Sequence, residues 1–492
     1  MIQRRTVLKT GAALTGALGS AGLLVPVMAG TAHATDLDPT SVPQFQQAMP
    51  VPKAMCPTYV SGTASYYQMT MKEVDKEILP GRMTRVRTFN GSFPGPLIKA
   101  VSGRRVVVKQ TNQLSVPTTI HLHGAHVPSS SDGSPMDLIA PGGGSKTYTY
   151  PNTQPHANLW FHDHAHHYES ETVYRGLTGF YLLTDDVERN LGLPSGAYDV
   201  PIAVRDARFD DNGQLVYEMG DFMNRNVILA NGKAWPYFEV AARKYRFRLY
   251  NTANLRFFTF QLSDGSAFQQ IGSDGGLLEQ PIDVTSVSLS PGERADIVVD
   301  FSRYDAGTTL ILNNTAPLLP GAPADQVGRV LQFRVTGPAA DFSTVPDFLR
   351  ELPDPGSATV KRNFVLAMDE TGVTSDAFIN GKTYDMDRID TEIEYGTTEI
   401  WTVQNANLYT PHNFHMHLVQ FRVLERDGKP VTSGPESGLK DTVALQPGET
   451  VKLQATFTGY EGTYVYHCHM IDHAAMGMMG NFRVSKTQST AR

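Results

Sequence analysis

Residues 466–473 read Tyr466-His467-Cys468-His469-Met470-Ile471-Asp472-His473. In a β-strand, residues i and i+2 face the same way, so His467 and His469 share one face and Cys468 takes the other. The spacing recurs in His121-Leu122-His123-Gly124, His162-Asp163-His164 and His412-Asn413-Phe414-His415-Met416-His417. Each His-x-His pair can aim two imidazoles at one point, as a metal site requires. The four pairs supply eight convergent ligands: His121, His123, His162, His164, His415, His417, His467 and His469. Eight imidazoles suit a cluster of several ions, and imidazole suits copper, zinc, iron and nickel. His412 lies an odd number of positions before His415 and can face away from that cluster, as Cys468 does. His473 follows Cys468 by five positions and Met478 by ten, on the chain leaving the strand. Two histidines, one thiolate and a distant methionine are the ligand set of a blue-copper electron-transfer site. An electron arriving there would have a short through-bond path from Cys468 to its neighbours His467 and His469.

Working outward, eight histidines fall between residues 121 and 167 and six between 412 and 473, with none between those groups. The simplest explanation is a middle domain without metal chemistry and two outer domains that share it. A weak internal repeat agrees. Phe89-Asn90-Gly91, Ala230-Asn231-Gly232 and Ile379-Asn380-Gly381 each end one apolar stretch and begin another, at spacings of 141 and 149 residues. A second landmark follows each in the same order: Ala140-Pro141-Gly142, Ser290-Pro291-Gly292 and Gln446-Pro447-Gly448. Alternating segments such as Thr147–Tyr150, Val451–Ala455 and Tyr245–Leu249, bounded by Gly, Pro and Asn turns, predict half-buried antiparallel strands. The fold expected is all-β, with three consecutive Greek-key sandwiches at 35–190, 191–350 and 351–492.

Composition supports this and excludes alternatives. A chain of 492 residues suggests about three domains at ~150 residues each. With 43 Gly, 31 Pro and only 18% charged residues it reads as turn-rich and β. The formal charge of −7 lacks the basic footprint of a nucleic-acid binder. Two cysteines cannot make a disulfide scaffold. With Cys468 committed to a metal, Cys56 has no partner in the chain and is expected as a free thiol.

The first 34 residues read as an export signal. A charged start, Met1-Ile2-Gln3-Arg4-Arg5, precedes a Gly/Ala-rich apolar run and an Ala32-His33-Ala34 cleavage site. Adjacent Arg4 and Arg5 followed by Leu8-Lys9 resemble a twin-arginine signal, with Gln3 where Ser or Thr is usual. The mature chain is expected to be acidic, free of membrane and extracellular, cell-wall or periplasmic.

Ten histidines and one cysteine, matching in type, spacing and order, make the mature chain resemble the multicopper oxidases, whose domains are cupredoxin-like. The flanks Leu159-Trp160-Phe161-His162-Asp163-His164-Ala165 and Pro411–Leu418 are most similar to the spore-coat laccase, bilirubin oxidase and phenoxazinone synthase branch. The resemblance implies four coppers. His412, Cys468, His473 and Met478 would hold type 1; His121 and His415, type 2; His123, His162, His164, His417, His467 and His469, the type 3 pair. It also implies one-electron oxidation of a small-molecule donor and four-electron reduction of dioxygen to water. A zinc protein or a copper nitrite reductase fits less well, the latter leaving half of these histidines unused.

Reducing dioxygen to water consumes four protons, so an acid is expected near the cluster. Asp132, in Ser131-Asp132-Gly133, resembles the carboxylate the branch carries there. The branch commonly has Glu directly after the second type 1 histidine, where this chain has Ala474; Asp472, on the other side of His473, is the candidate to compensate. His126, His156, His166 and His167 fall outside the ligand pattern and are expected at the surface or supporting the ligands. Two donor classes remain: phenols, aminophenols or bilirubin-like pigments, and Cu(I). The 17 methionines are mostly dispersed, which favours the organic donor.

Overall fold

A computed structural model describes residues 35–318, 322–354, 356–371 and 376–486. The export signal expected at 1–34 lies outside the described residues. The repeat landmarks have a common backbone form. Asn90, Asn231 and Asn380 have φ of 53°, 44° and 53°, and the glycines after them 75°, 77° and 71°. Two successive left-handed residues make the tight turn that suits a right-twisted hairpin, and Asn-Gly is its favoured pair. Each turn closes a two-residue hairpin, with Phe89 opposite Ser92, Ala230 opposite Lys233 and Ile379 opposite Lys382. Gly142, Gly292 and Gly448 likewise share positive φ, at 72°, 89° and 77°. Proline supplies the first central position of such a turn and glycine the left-handed second.

Between these turns the strands form three pairs of packed sheets. In the first pair, Ala64–Glu77, Arg105–Asn112 and Gly144–Tyr150 lie side by side, facing a sheet ordered Leu97–Val101, Thr178–Thr184, Ala157–Asp163, Ile120–His123. The second pair has seven and five strands; the third, six and five. Separate apolar cores fill the three sandwiches. In the third, Trp401 packs against Phe364 at 4.4 Å between ring centres, and against Phe457 and Tyr466 at 5.5 Å each.

The sheets are mixed, where antiparallel strands were expected. The first sheet of each pair contains an equivalent parallel pairing: Ala64–Glu77 with Arg105–Asn112, Asp199–Ala207 with Lys244–Asn251, and Val360–Met368 with Thr398–Asn405. The second sheet of each contains another. A chain that crosses between sheets before returning can re-enter beside its earlier strand in the same direction, so this recurrence is a topological repeat. The expectation of half-burial at Tyr245–Leu249 also needs correction. Both faces of Lys244–Asn251 are covered, and Arg246 and Arg248 are 1% and 3% exposed. Arg246 donates to Asp296 at 2.9 Å and Arg248 to Asp199 at 2.7 Å, so the polar side is satisfied within the protein. Period-2 alternation reports two chemical faces; it does not distinguish water from a buried ionic network.

Candidate metal centre

The first and third sandwiches bring their His-x-His strands together. Ile120–His123 runs antiparallel to Ala157–Asp163 with His121 opposite His162. In the third sandwich His412–Met416 pairs with Gly462–His467, placing His415 opposite His467. Although up to 346 residues separate paired members in sequence, all ten histidines and Cys468 are at most 5% exposed.

Three compact groups result. His123, His162 and His469 form one, His164, His417 and His467 the second, and His412, Cys468 and His473 the third; ligand atoms in each lie within 4.8 Å of one another. His123 Nδ1 is 3.0 Å from His469 Nε2, which is 3.3 Å from His162 Nε2. In the second group His467 Nε2 lies 3.2 Å from His164 Nε2 and 3.3 Å from His417 Nε2. Ligand nitrogens each about 2 Å from one ion are expected about 3 Å apart, so these separations fit shared metals. His121 and His415 add a further pair, and the Nε2 atoms of both are buried without a hydrogen-bond partner. Two orphaned acceptors facing the cluster are what a metal would satisfy.

The opposite ring nitrogens are held by the protein, which selects the atom left for the metal. His162 Nδ1 donates to the Asp163 carbonyl at 2.8 Å, His467 Nδ1 to the Cys468 carbonyl at 2.9 Å and His415 Nδ1 to the Asp441 carbonyl at 2.8 Å. Asp132 serves two rings: its carbonyl accepts from His121 Nδ1 at 2.6 Å and its carboxylate from His417 Nδ1 at 2.7 Å. His123 is turned the other way. Its Nε2 donates to Asp441 Oδ1 at 2.8 Å, leaving Nδ1 for the cluster.

Asp441 was not singled out in the sequence, nor was Arg294, which binds both Asp441 oxygens at 2.7 and 2.6 Å. Arg294 belongs to the middle sandwich and also donates to the Asn158 carbonyl of the first, at 2.8 Å. Among the described residues the middle sandwich contributes no member of these groups, yet its Arg294 fixes the orientation of one. Only the Ser290-Pro291-Gly292 landmark pointed near this place.

At the third group, Cys468 Sγ is 3.9 Å from His412 Nδ1 and 3.8 Å from His473 Nδ1, and the two nitrogens are 3.1 Å apart. His412 Nε2 donates to Asn407 Oδ1 at 2.9 Å, orienting the ring. Met478 is fully buried; its carbonyl accepts from the Cys468 amide at 3.1 Å and its amide donates to the His473 carbonyl at 3.0 Å. These backbone bonds hold the methionine in the turn that carries Cys468 and His473.

Burial, and then the charge of neighbouring imidazoles, holds His121, His123, His164, His412, His415, His467 and His469 well below the usual imidazole range. Burial brings His162 to about 3 and His473 to about 4. Neutral imidazoles are the ligating form. Burial pushes the Cys468 thiol up to about 12, so a cation beside it is needed to favour the thiolate.

Asp472 turns toward the other two sandwiches. It accepts from Arg225 at 3.0 Å, Asn254 Nδ2 at 2.8 Å, the Gly220 amide at 2.8 Å and the Ser170 hydroxyl. Such a carboxylate is an ion-paired anchor. His156 is buried between Arg246 and Arg248 at 3.3 and 3.1 Å, and His126 donates to the Leu418 carbonyl at 2.9 Å. His166 is half-buried, His167 exposed, and Cys56 an exposed free thiol.

Multicopper oxidase family models match residues 70–188, 212–324 and 357–488. The chain is 36% identical to a laccase of Bacillus subtilis, across 89% of this chain and 97% of that protein. It is 35% identical to a bilirubin oxidase of Albifimbria verrucaria, across 90% and 82%. Among solved structures, a laccase from Pediococcus acidilactici superposes with a TM-score of 0.83 at 31% identity, covering 90% of this chain and 95% of that one.

Proposed function

Because this chain belongs to the multicopper oxidase family, an oxidoreductase family carrying four coppers, we propose that it is an exported, laccase-like oxidase of phenolic, aminophenolic or bilirubin-like donors. The observation that carries this reading is the placement of Cys468 between His467 and His469, so that one strand end joins all three groups. His412, Cys468, His473 and Met478 would hold type 1 copper, His121 and His415 type 2, and the remaining six histidines the type 3 pair. Copper bound there would accept single electrons from the donor and pass them to dioxygen, giving water.

The chain's own residues orient, exclude and connect. Asp132, Asp441 and the Asp163 and Cys468 carbonyls fix the ring tautomers of His121, His123, His162, His415, His417 and His467, so these six imidazoles present their lone pairs inward. The near-complete burial of the ligands excludes bulk water, and the Cys468 backbone provides a short covalent route between the groups. Asp132 is buried and its carboxylate accepts from His417 Nδ1, which supports it as the acid beside the cluster. Beside His412, the loop 407–410 exposes Leu408 and Tyr409, an apolar surface suited to an aromatic donor. The twin-arginine-like start supports export of the folded, metal-loaded chain.

A second reading, oxidation of Cu(I), draws support from one observation. Met476 lies under Gly220, whose chain neighbour Met219 is 41% exposed, with Met223 nearby in sequence at 42%. Methionines dispersed in sequence thus come into one region, and soft thioethers suit Cu(I). Oxygen uptake by copper-loaded enzyme, compared on 2-aminophenol, a methoxyphenol, bilirubin and Cu(I), separates the two. Fast turnover of an organic donor and slow turnover of Cu(I) is the expected result; the reverse order would establish the second reading.

A further inference from the structure

One buried acid has no structural work assigned to it. Glu169 is 2% exposed, and neither carboxylate oxygen has a hydrogen-bond partner among the described residues. Leaving a buried polar group unsatisfied is costly, so such a group calls for an explanation. The other buried acids around the cluster are engaged: Asp132 by His417, Asp441 by Arg294 and His123, and Asp472 by Arg225.

The position of Glu169 follows from local bonds. Its amide and that of Tyr168 both donate to the Ala165 carbonyl at 2.8 Å, so the chain after His164 folds straight back in one turn. One helical turn advances about 5.4 Å, which keeps Glu169 close to the end of the ligand strand. Thr172 ties the turn to that strand, its hydroxyl bonding both the Asp163 carboxylate and, at 3.2 Å, the Glu169 carbonyl. His164 Nδ1, on the ring edge away from the cluster, is itself buried without a partner. The helix Glu169–Tyr174 packs against Ile471–Ala475, which bears buried Ala474 and so offers no acid of its own at that point.

The nearest ionisable group lies on the same segment. His166 Nδ1 lies 3.8 Å from Glu169 Oε1, a gap one water can bridge. The His166 ring is 3.8 Å from that of exposed His167 and 4.8 Å from that of Tyr384. The ionisable groups around Glu169 are therefore His166 and His167 on its own segment, Asp163 on the ligand strand, Tyr384, and the Asp472–Arg225 pair beyond the neighbouring helix. Burial pushes the Asp163 carboxyl up to about 7, with the nearby charge of Glu169 adding to the effect.

We propose that Glu169 is a proton donor for dioxygen reduction. The proposal rests on the multicopper oxidase reading above. Each dioxygen takes four electrons, one from each of four donor molecules, and four protons, giving two waters. In the step assigned to Glu169 its O–H bond breaks, the proton passes to reduced oxygen, and the carboxylate regains a proton from water.

The test separates electron entry from oxygen reduction. Copper-loaded wild type, Glu169→Gln and Glu169→Leu are first reduced by donor without oxygen, following loss of the blue absorption, and then mixed with dioxygen. Leucine is the companion variant because an apolar side chain of similar size needs no buried partner. The expected result is unchanged bleaching and copper content in both variants, with reoxidation slowed about 100-fold, the usual scale for losing a positioned acid. Reoxidation at the wild-type rate in either copper-loaded variant overturns the proposal. Wild type that never bleaches overturns the multicopper reading instead, so the two failures are distinguishable. Equal slowing of bleaching and reoxidation also overturns it, since it marks a purely structural role.

Discussion

At the scale of single residues, Cys468 carries the greatest load. It is fully buried, and its thiol donates to Asn413 Oδ1 at 3.4 Å, an oxygen that also accepts from the His469 and Met470 amides at 2.6 and 3.0 Å. A serine hydroxyl is close in shape and can donate to the same oxygen, so Cys468→Ser should fold. It cannot supply the polarizable thiolate that defines a blue-copper site. The expected outcome is complete loss of the blue absorption and of turnover at unchanged secondary structure, read by visible absorption and circular dichroism. Retained blue colour would remove Cys468 from the type 1 role. The asymmetry at His123 is the other residue-scale lesson: its neighbours donate Nδ1 to carbonyls, whereas Asp441 captures its Nε2, so one carboxylate decides which nitrogen faces the metals.

At the scale of elements, strands aim the ligands and tight turns make room for them. Gly292, with φ +89°, shows this: a Cβ there would sit 2.7 Å from His469 Nδ1 and 2.8 Å from its Cγ. Gly448 occupies the equivalent landmark in the third sandwich at φ +77°, with nothing within 4 Å of the added carbon. Both alanine variants bear the left-handed strain of about 1–2 kcal/mol. Gly292→Ala alone must also displace the His469 ring. Copper content below four per chain is expected for Gly292→Ala and a full complement for Gly448→Ala; equal content in both would show that the clash is absorbed elsewhere. The same elements explain what was legible beforehand. His-x-His spacing has a fixed geometric meaning in a strand, and Asn-Gly and Pro-Gly pairs name their turns, so the repeat and the histidine clusters could be read from sequence alone. The parallel pairings, the buried face of Arg246 and Arg248, and the Arg294–Asp441–His123 chain could not. Each depends on residues far apart in sequence meeting across sheets, and a lone Arg or Asp looks the same in sequence whether it meets water or a partner.

At the scale of the whole molecule, the site is an interface whose stability is tied to pH. Arg294 joins all three sandwiches through Asn158 and Asp441, and Asp472 does so again through Ser170, Arg225 and Asn254. Between those clamps the copper-free protein must keep ten imidazoles buried together. Nine of them are held below their ordinary range, His162 at about 3 and His473 at about 4. In the unfolded chain the same groups bind protons near pH 6.5. Below that pH the unfolded state therefore takes up more protons than the folded one, and stability falls as the pH falls. Two buried carboxyls act in the opposite sense, since burial raises Asp163 to about 7 and Asp274 to about 6. Folded protein binds more protons than unfolded at those two groups between about pH 4 and their raised values. Nine groups against two decide the sign. The melting temperature of copper-free protein should change little between pH 8 and 7 and fall steeply from about 6.5 downward, followed by calorimetry. Copper-loaded protein should hold its melting temperature to lower pH, because bound metal stabilises the folded state and keeps its ligands deprotonated. A copper-free melting temperature unchanged from pH 7 to 4.5 would mean that the imidazoles are already charged in the folded chain, and that the buried cluster is not the neutral ligand set described above.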